Sequence, residues 1–417
     1  MWDPYAEFET AVMQNGITVH AAHWPNRQWQ AMGFVINSGA EQDPPGLEGL
    51  AHFVEHVICE NAIVPRSSID ALFEDCGGGV NLGATGFPFT KWSFFVPIDK
   101  EILAKAFSIF GHMLLSCQLE KFIERERRVI LAEFNRSFKA KELIELGWRQ
   151  RRALYKDTFL ERFLSPLGIP ESLERIGQTD LQSFYDGHYN PANMHVVGVG
   201  GMTVGELANL LFQSPFGINK RGERTPLPKK FSDISPLLET HYVFEASKYS
   251  TLSVNVGAYE SKTKIPASIN FWVIRILRDM FREVLYEELR ERRSWTYSAT
   301  ASVYNFRQFY EFSIECKSFE LEALDEIEGV IEVCIASIGD REDLFDQTKL
   351  RVVADNLLID ANGREIRNGA MDAVANRHRV VSLDEYDEDI RKITMTDIRA
   401  ALRWLTPEMR YTMILKP

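Results

Sequence analysis

Between Gly46 and Val57 the chain reads Gly-Leu-Glu-Gly-Leu-Ala-His-Phe-Val-Glu-His-Val, with His52-x-x-Glu55-His56 at its centre. On a helix, His52 and His56 stand one turn apart on one face, so two imidazoles can grip a single cation. Glu55 lies beside them, three residues after His52. A carboxylate placed next to such a cation can take a proton from water, which is hydrolytic chemistry. Two histidines leave the cation short of a third protein ligand.

Residues 121–134, Lys-Phe-Ile-Glu-Arg-Glu-Arg-Arg-Val-Ile-Leu-Ala-Glu-Phe, read as an amphipathic helix. Glu126 and Glu133 are seven apart, near the face that carries Phe122, Val129 and Ile130. Acids on an apolar face are costly unless paired. A dication held by histidines would satisfy Glu133, and a hydrogen bond to a ligand imidazole would satisfy Glu126. Taken alone, the segment is also readable as a charged, solvated helix with incidental acids.

The elements that must position these groups form an α+β pattern. Strand-like runs occur at 16–24, 29–37, 90–96, 194–199, 252–258 and 309–316, mixed with long amphipathic helices. Residues 217–236 are rich in charge, Gly and Pro and lack either periodicity, so they read as a linker between an N-terminal domain 1–216 and a C-terminal domain 237–417. A weak repeat supports that division: Arg175-Ile176-Gly177-Gln178-Thr179-Asp180-Leu181 returns 217 residues later as Lys392-Ile393-Thr394-Met395-Thr396-Asp397-Ile398. Asn190-Pro191-Ala192-Asn193-Met194 is likewise echoed by Thr406-Pro407-Glu408-Met409. In each copy a Thr is expected to N-cap a helix, and a Pro-containing turn hands over to a strand. The same offset carries His52, His56 and Glu133 onto Ile269, Val273 and Leu350, so the second half has no copy of the metal motif.

These residues are similar to the inverzincin peptidases, the pitrilysin, insulysin and mitochondrial-processing-peptidase family, whose His-x-x-Glu-His is followed about 75 residues later by a Glu in an acidic helix. Here 76 residues lie between His56 and Glu133. Gly49-Leu50-Ala51-His52-Phe53 and Val129-Ile130 share the likeness. The resemblance implies that His52, His56 and Glu133 ligate Zn2+, that Glu55 is the base that activates water, and that Glu126 is a supporting acid. It implies two similar α/β-sandwich halves with mixed, mostly antiparallel sheets, together forming one half of a clamshell. The implied activity is a zinc metalloendopeptidase cleaving peptides or short unfolded polypeptides in a closed chamber.

Read from its residues alone, 281–298 is a charged helix end running into a strand. Family members carry an Arg and a Tyr seven apart at this point, a spacing met by Arg290 and Tyr297, with Arg292 and Arg293 as rival arginines. The resemblance implies that Tyr297 donates to the oxyanion and that Arg290 holds a neighbouring substrate carbonyl. It also implies a dimer, either of two copies, with Arg290 and Tyr297 supplied from the facing subunit, or with a homologous partner. A non-catalytic partner subunit and a dedicated leader-peptide or cofactor-precursor processing peptidase are the competing readings. The chain departs from the family in three places: Cys59-Glu60-Asn61-Ala62 after His56, Asn81 one place early before Ala84-Thr85, and Ser294-Trp295-Thr296 in place of Gly-Leu-Ala. The second affects the strand on which an extended peptide would add at a sheet edge.

Composition bounds the rest. The 417 residues, 45% hydrophobic and 25% charged, suit two or three globular domains and exclude a disordered or fibrous chain. Lys+Arg 47 against Asp+Glu 59 gives a net charge of −12, which argues against nucleic acid as a partner. Five cysteines without a CxxC pair suit a reducing compartment. With an acidic N-terminus unlike a signal peptide and no run of ~18 apolar residues, a cytoplasmic location and no membrane span are expected. His20 and His23, three apart in a strand, face opposite sides, and Gly77-Gly78-Gly79 lacks a phosphate-loop context. His112, His188, His195, His241 and His378 have no carboxylate or cysteine at ligand spacing and are expected in core or surface roles.

Overall fold

The computed structural model describes residues 2–60, 65–138, 141–156, 158–218, 222–226, 240–245, 250–259, 271–306, 309–357 and 362–417. It is α+β, with two sheets in two compact units. The first unit comprises Met1–Ile144, Arg162–Pro228 and Asp360–Leu383, and the second Glu145–Glu161, Lys229–Ile359 and Asp384–Pro417. The units follow chain order except that 145–161 join the second and 360–383 the first. Of the expected linker, 219–221 and 227–236 lie outside the described residues.

The first sheet contains β1 (Phe8–Val12), β2 (Thr18–His23), β3 (Trp29–Ile36), β4 (Gly79–Thr85), β5 (Thr90–Pro97) and β6 (Met194–Gly200), in the order β1-β2-β6-β3-β5-β4. The β2–β6 pair is parallel, while β1–β2, β3–β6, β3–β5 and β4–β5 are antiparallel. β3 and β6 are buried along almost their whole length because both faces of the sheet are covered. On one face Phe34, Phe94, Phe110 and Phe216 stack into the main core. On the other, the helix Gly363–Arg377 lays Ala370, Met371 and Val374 on Val35 and Val197. Gly33 permits this approach, since a Cβ there would fall 2.3 Å from the Met371 sulfur. Arg367 fastens the same helix by donating to the Phe94 carbonyl at 3.0 Å.

The second sheet contains β7 (His241–Glu245), β8 (Thr251–Tyr259), β9 (Thr296–Phe306), β10 (Phe309–Phe319) and β11 (Arg410–Lys416), in the order β7-β11-β8-β10-β9. Among the described residues, β7–β11 is its one parallel pair. The strongly amphipathic helix Phe271–Leu285 buries Trp272, Ile276, Met280 and Phe281 in this unit's core.

Of the two Thr caps expected from the repeat, the structure places a threonine at the N-cap of the second helix only. The helix Gln178–His188 is preceded by Gly177, and the helix Met395–Leu402 by Thr394. In both, an aspartate closes the first turn: Asp180 accepts from the Gly177 N–H and Asp397 from the Thr394 N–H, each at 2.9 Å. Thr179 and Thr396 therefore lie inside the first turn, where their side chains cannot cap it. Each helix is followed by a short Pro-led turn, Pro191–Asn193 or Pro407–Met409, that opens into β6 or β11.

His20 is buried, with Nε2 3.1 Å from Nδ1 of His195 and Nδ1 2.9 Å from the Thr10 hydroxyl. His195 also stacks against His378 at 6.0 Å. Burial pushes His20 down to about 4, and burial together with the neighbouring His20 pushes His195 down to about 3. Both stay neutral in the folded chain where an unfolded histidine, near 6.5, takes up a proton. Stability is therefore full above pH 6.5 and is lost as pH falls toward 4, by about 1.4 kcal/mol per pH unit for each histidine. Urea titrations from pH 7 to 4.5 should show this decline, and His195→Gln should reduce its slope.

Candidate metal centre

The helix α1 (Leu50–Glu60) is apolar nearly all round, so Leu50, Ala51, Phe53, Val54, Val57 and Ile58 are buried. Its polar residues consequently sit in a desolvated setting. Asp43 holds its start, accepting from the N–H groups of Gly49 at 2.7 Å and Ala51 at 2.8 Å, which satisfies donors a helix leaves open. Gly49 has φ +98, and a Cβ there would lie 2.7 Å from the Leu167 carbonyl oxygen, so the tight entry to α1 requires glycine. After α1 come α2 (Arg66–Asp75), α3 (Lys100–Leu115) and α4 (Ile123–Ser137).

α4 crosses α1 and brings the two acids. Its apolar face is narrower than its sequence suggests: Ile130 and Phe134 are buried, whereas Phe122 and Val129 are exposed. Phe122 precedes the first turn with φ +63 and so stands off the helix face. Glu126 is only 2% exposed. Arg127 fixes α4 by donating to the Ile176 carbonyl at 2.8 Å and lying 5.2 Å over the Phe53 ring.

The four motif residues come together. His56 Nδ1 donates to Glu126 Oε2 at 3.1 Å, which turns its Nε2 toward Glu133 Oε2, 3.7 Å away. His52 Nε2 lies 3.9 Å from the same oxygen. One ligand atom from each of His52, His56 and Glu133 falls within 4.8 Å of the others, and no other such trio occurs among the described residues. Burial, then the neighbouring His56, pushes His52 down to about 3, so its imidazole is neutral with a lone pair available. Its Nδ1 is buried and has no hydrogen-bond partner among the described residues. A neutral imidazole, a second imidazole oriented by a carboxylate, and a converging carboxylate form a donor set suited to Zn2+, with a fourth position left open. Arg125 donates to Glu126 at 3.0 Å and also pairs with Glu60.

Glu55 is 8% exposed and accepts from the Thr85 hydroxyl at 2.8 Å. Burial pushes its carboxyl up to about 7, opposed by His56 and the Thr85 hydrogen bond. Gly83, with φ +146, faces it: a Cβ would fall 2.2 Å from Glu55 Oε1. β4 is irregular between Asn81 and Ala84, and this bulge admits the carboxylate. β4 is also an outermost strand, so its free edge borders the cavity of about 460 Å³ that holds His52, Glu55, His56 and Glu133. Cys59, one of the departures from the family, is buried at that cavity and donates to the Leu82 carbonyl at 3.0 Å, joining α1 to β4. Sequence reasoning did not single out Asp43, and it read the stretch holding Gly83 and Thr85 as a peptide-pairing edge rather than as the setting of Glu55. A glycine within a strand was the available sign for Gly83.

In the second unit, Arg290 and Tyr297 meet. Residues Tyr286–Glu291 form a π-helical turn, and the Arg290 guanidinium lies 5.1 Å from the ring centres of both Tyr286 and Tyr297. Tyr297 is the second residue of β9 and is 75% exposed. The rival arginines are engaged elsewhere: Arg292 with Glu287 at 2.5 Å and Glu288 at 2.8 Å, and Arg293 with Glu288. Ser294, where the family has Gly, takes φ +53.

Residues 18–162 match the family described as insulinase, peptidase family M16, and residues 175–352 match the peptidase M16 inactive domain. The mitochondrial-processing peptidase subunit beta of Blastocladiella emersonii is 28% identical over 202 residues, 48% of this chain and 42% of that protein. An uncharacterized zinc protease of Rickettsia felis is 25% identical over 227 residues, 54% of this chain and 53% of that protein. The chain thus spans about half the length of these curated relatives. Its fold is that of a protease from Helicobacter pylori (TM-score 0.80, 17% identity, 100% of both chains) and of a peptidase M16 inactive domain from Pseudomonas fluorescens (TM-score 0.81, 15% identity, 98% of both). No helix among the described residues is long and apolar enough to cross a membrane. With its two halves matched in order by the two M16 domains, the chain belongs to the insulinase family of peptidases, family M16.

Proposed function

We propose that this chain is a zinc-dependent endopeptidase acting on peptides or short unfolded polypeptides. The observation that carries the reading is the convergence of His52, His56 and Glu133 on one point with Glu55 beside it. His52, His56 and Glu133 would hold Zn2+, which when bound supplies Lewis-acid polarisation of water and of the scissile carbonyl. Glu55 takes the proton of the attacking water and returns it to the leaving amine. Glu126 keeps the His56 ring turned so that Nε2 stays available. The substrate lies extended along the β4 edge and pairs with its backbone, which excludes folded proteins.

Arg290 and Tyr297 are the proposed transition-state donors, Tyr297 to the oxyanion and Arg290 to a neighbouring carbonyl, supplied from a second copy or a homologous subunit that closes the chamber. We place the reaction in the cytoplasm, because five cysteines without a disulfide among them suit a reducing compartment. The match of 175–352 to an inactive domain favours a second reading, a non-catalytic partner subunit. The complete set of His52, Glu55, His56 and Glu133 supports the enzyme.

A mixed peptide pool incubated with the purified chain, with zinc measured on the same sample, separates the two readings. The enzyme should carry equimolar zinc, cleave the pool, and lose both on chelation; a zinc-free chain, or cleavage indifferent to chelation, defeats the proposal. Glu126→Ala should weaken zinc binding about 10–100-fold, read by competition with a chromophoric chelator.

A further inference from the structure

The buried carboxylate of Glu126 is gripped on both of its oxygens. Oε2 accepts from His56 Nδ1 at 3.1 Å, and Oε1 accepts from Arg125 Nε at 3.0 Å. A carboxylate held through one oxygen can still swivel about its last bond, whereas a second, charge-assisted hydrogen bond fixes its plane. Arg125 therefore sets the direction from which Oε2 meets the His56 ring.

Alone, Arg125 would be a loose anchor, because its side chain is 46% exposed and an ordered surface arginine gives up much rotamer freedom. It is not alone. Its Nη2 pairs with Glu60, the last residue of α1, whose own side chain is only 10% exposed. Its guanidinium also lies 4.6 Å from the centre of the Phe122 ring. The planar fork thus spans two carboxylates, one from the end of α1 and one from the first turn of α4, a span that the compact ammonium of a lysine does not reproduce.

This arrangement accounts for two features that the proposed activity leaves without a role. Phe122 takes φ +63, a left-handed backbone that is disfavoured for a bulky residue, and it is exposed. Its ring is the platform on which the guanidinium rests. Glu60 belongs to Cys59-Glu60-Asn61-Ala62, where the chain departs from its family. There it is the carboxylate that Arg125 closes on, with Arg66 approaching its other oxygen at 3.8 Å.

We propose that Arg125 is a positioning residue for His56: clamped by Glu60 and Phe122, it fixes Glu126 and so keeps His56 Nε2 turned toward Glu133. That this geometry serves zinc rests on the proposed function; the clamp itself rests on the contacts of Arg125.

Two measurements test it, and neither needs turnover. Zinc affinity is read by chelator competition for Arg125→Met, Glu126→Ala and the double variant. Arg125→Met should weaken zinc about 10-fold in the parent chain. In the Glu126→Ala chain the same substitution should cost less than about 2-fold, because Arg125 acts through that carboxylate. Arg125→Lys, which keeps the charge and loses the fork, should reproduce most of the loss, and Glu60→Gln should weaken zinc about 3-fold, with no further loss in the Arg125→Met chain. In the metal-free protein carrying isotope-labelled histidine, the His56 Nδ1–H signal should move upfield in Arg125→Met and Arg125→Lys as its hydrogen bond to Glu126 loosens. Unchanged zinc affinity, an equal loss with and without Glu126, or an unmoved His56 signal overturns the clamp. A chain that takes up no zinc, yet whose His56 signal moves as expected, keeps the clamp and defeats the proposed enzyme. Zinc binding and cleavage without coupling between Arg125 and Glu126 would do the reverse.

Discussion

Glu55→Gln should slow peptide cleavage by about 10³-fold while leaving bound zinc and the melting temperature unchanged. The amide keeps the volume of the carboxylate and can still accept from the Thr85 hydroxyl, which meets Oε2 at 2.8 Å. It cannot take up a proton from water. Glu55 is not among the three residues whose donor atoms converge, so the metal should stay. The substitution also removes a buried charge, and no loss of stability is expected from that. Parallel measurement of kcat and zinc content decides: equal cleavage by the variant excludes Glu55 as the base, and loss of zinc along with activity makes it a ligand instead.

Gly83→Ala should lower kcat by about 10²-fold, again with zinc retained. The added methyl would lie 2.2 Å from Glu55 Oε1, 2.5 Å from Cδ and 2.6 Å from Cγ. All three distances are below any tolerated contact, and φ +146 further strains an alanine there. Glu55 sits between α1 and β4, so either the carboxylate turns away from its position or the β4 bulge moves. Both changes disturb the base and the peptide-pairing edge together. Gly79→Ala in the same strand is the control, since nothing lies within 4 Å of its Cβ position. Equal kcat for the two variants would show that the bulge does not set the base.

The convergence of His52, His56 and Glu133 was legible because its signal is local or nearly so: His52, Glu55 and His56 share one helix, and Glu133 lies on a second whose acids needed an explanation. The partners that tune it were not. Asp43 holds α1 from a loop six residues before Gly49, and Gly83 and Thr85 arrive from a strand across the cavity. Nothing periodic marks such contacts. The His20–His195 pair shows the same limit. The alternation of a strand correctly kept His20 and His23 apart, but the true partner comes from β6, placed beside β2 by a parallel pairing that sequence spacing does not reveal. The repeat was seen for the right stretch, but a threonine, Thr394, stands at the N-cap of the second copy only; the feature common to both is the aspartate, Asp180 or Asp397, that accepts from the N-cap N–H.

The helix Gly363–Arg377 covers the β3–β6 face of the first sheet although it is encoded far downstream of it. During synthesis, β6 is complete by Gly200, but Ala370 and Met371 emerge about 170 residues later. At roughly 5–20 residues per second, that interval is about 10–30 s, during which Val35 and Val197 have no cover. A nascent chain of this protein therefore presents an apolar sheet face to its surroundings until Gly363–Arg377 is made, and holdase chaperones would find their binding window there. For the same reason, a fragment cut at residue 216 would keep His52, Glu55, His56, Glu126 and Glu133 and still carry that bare face into solution as a surface prone to self-association.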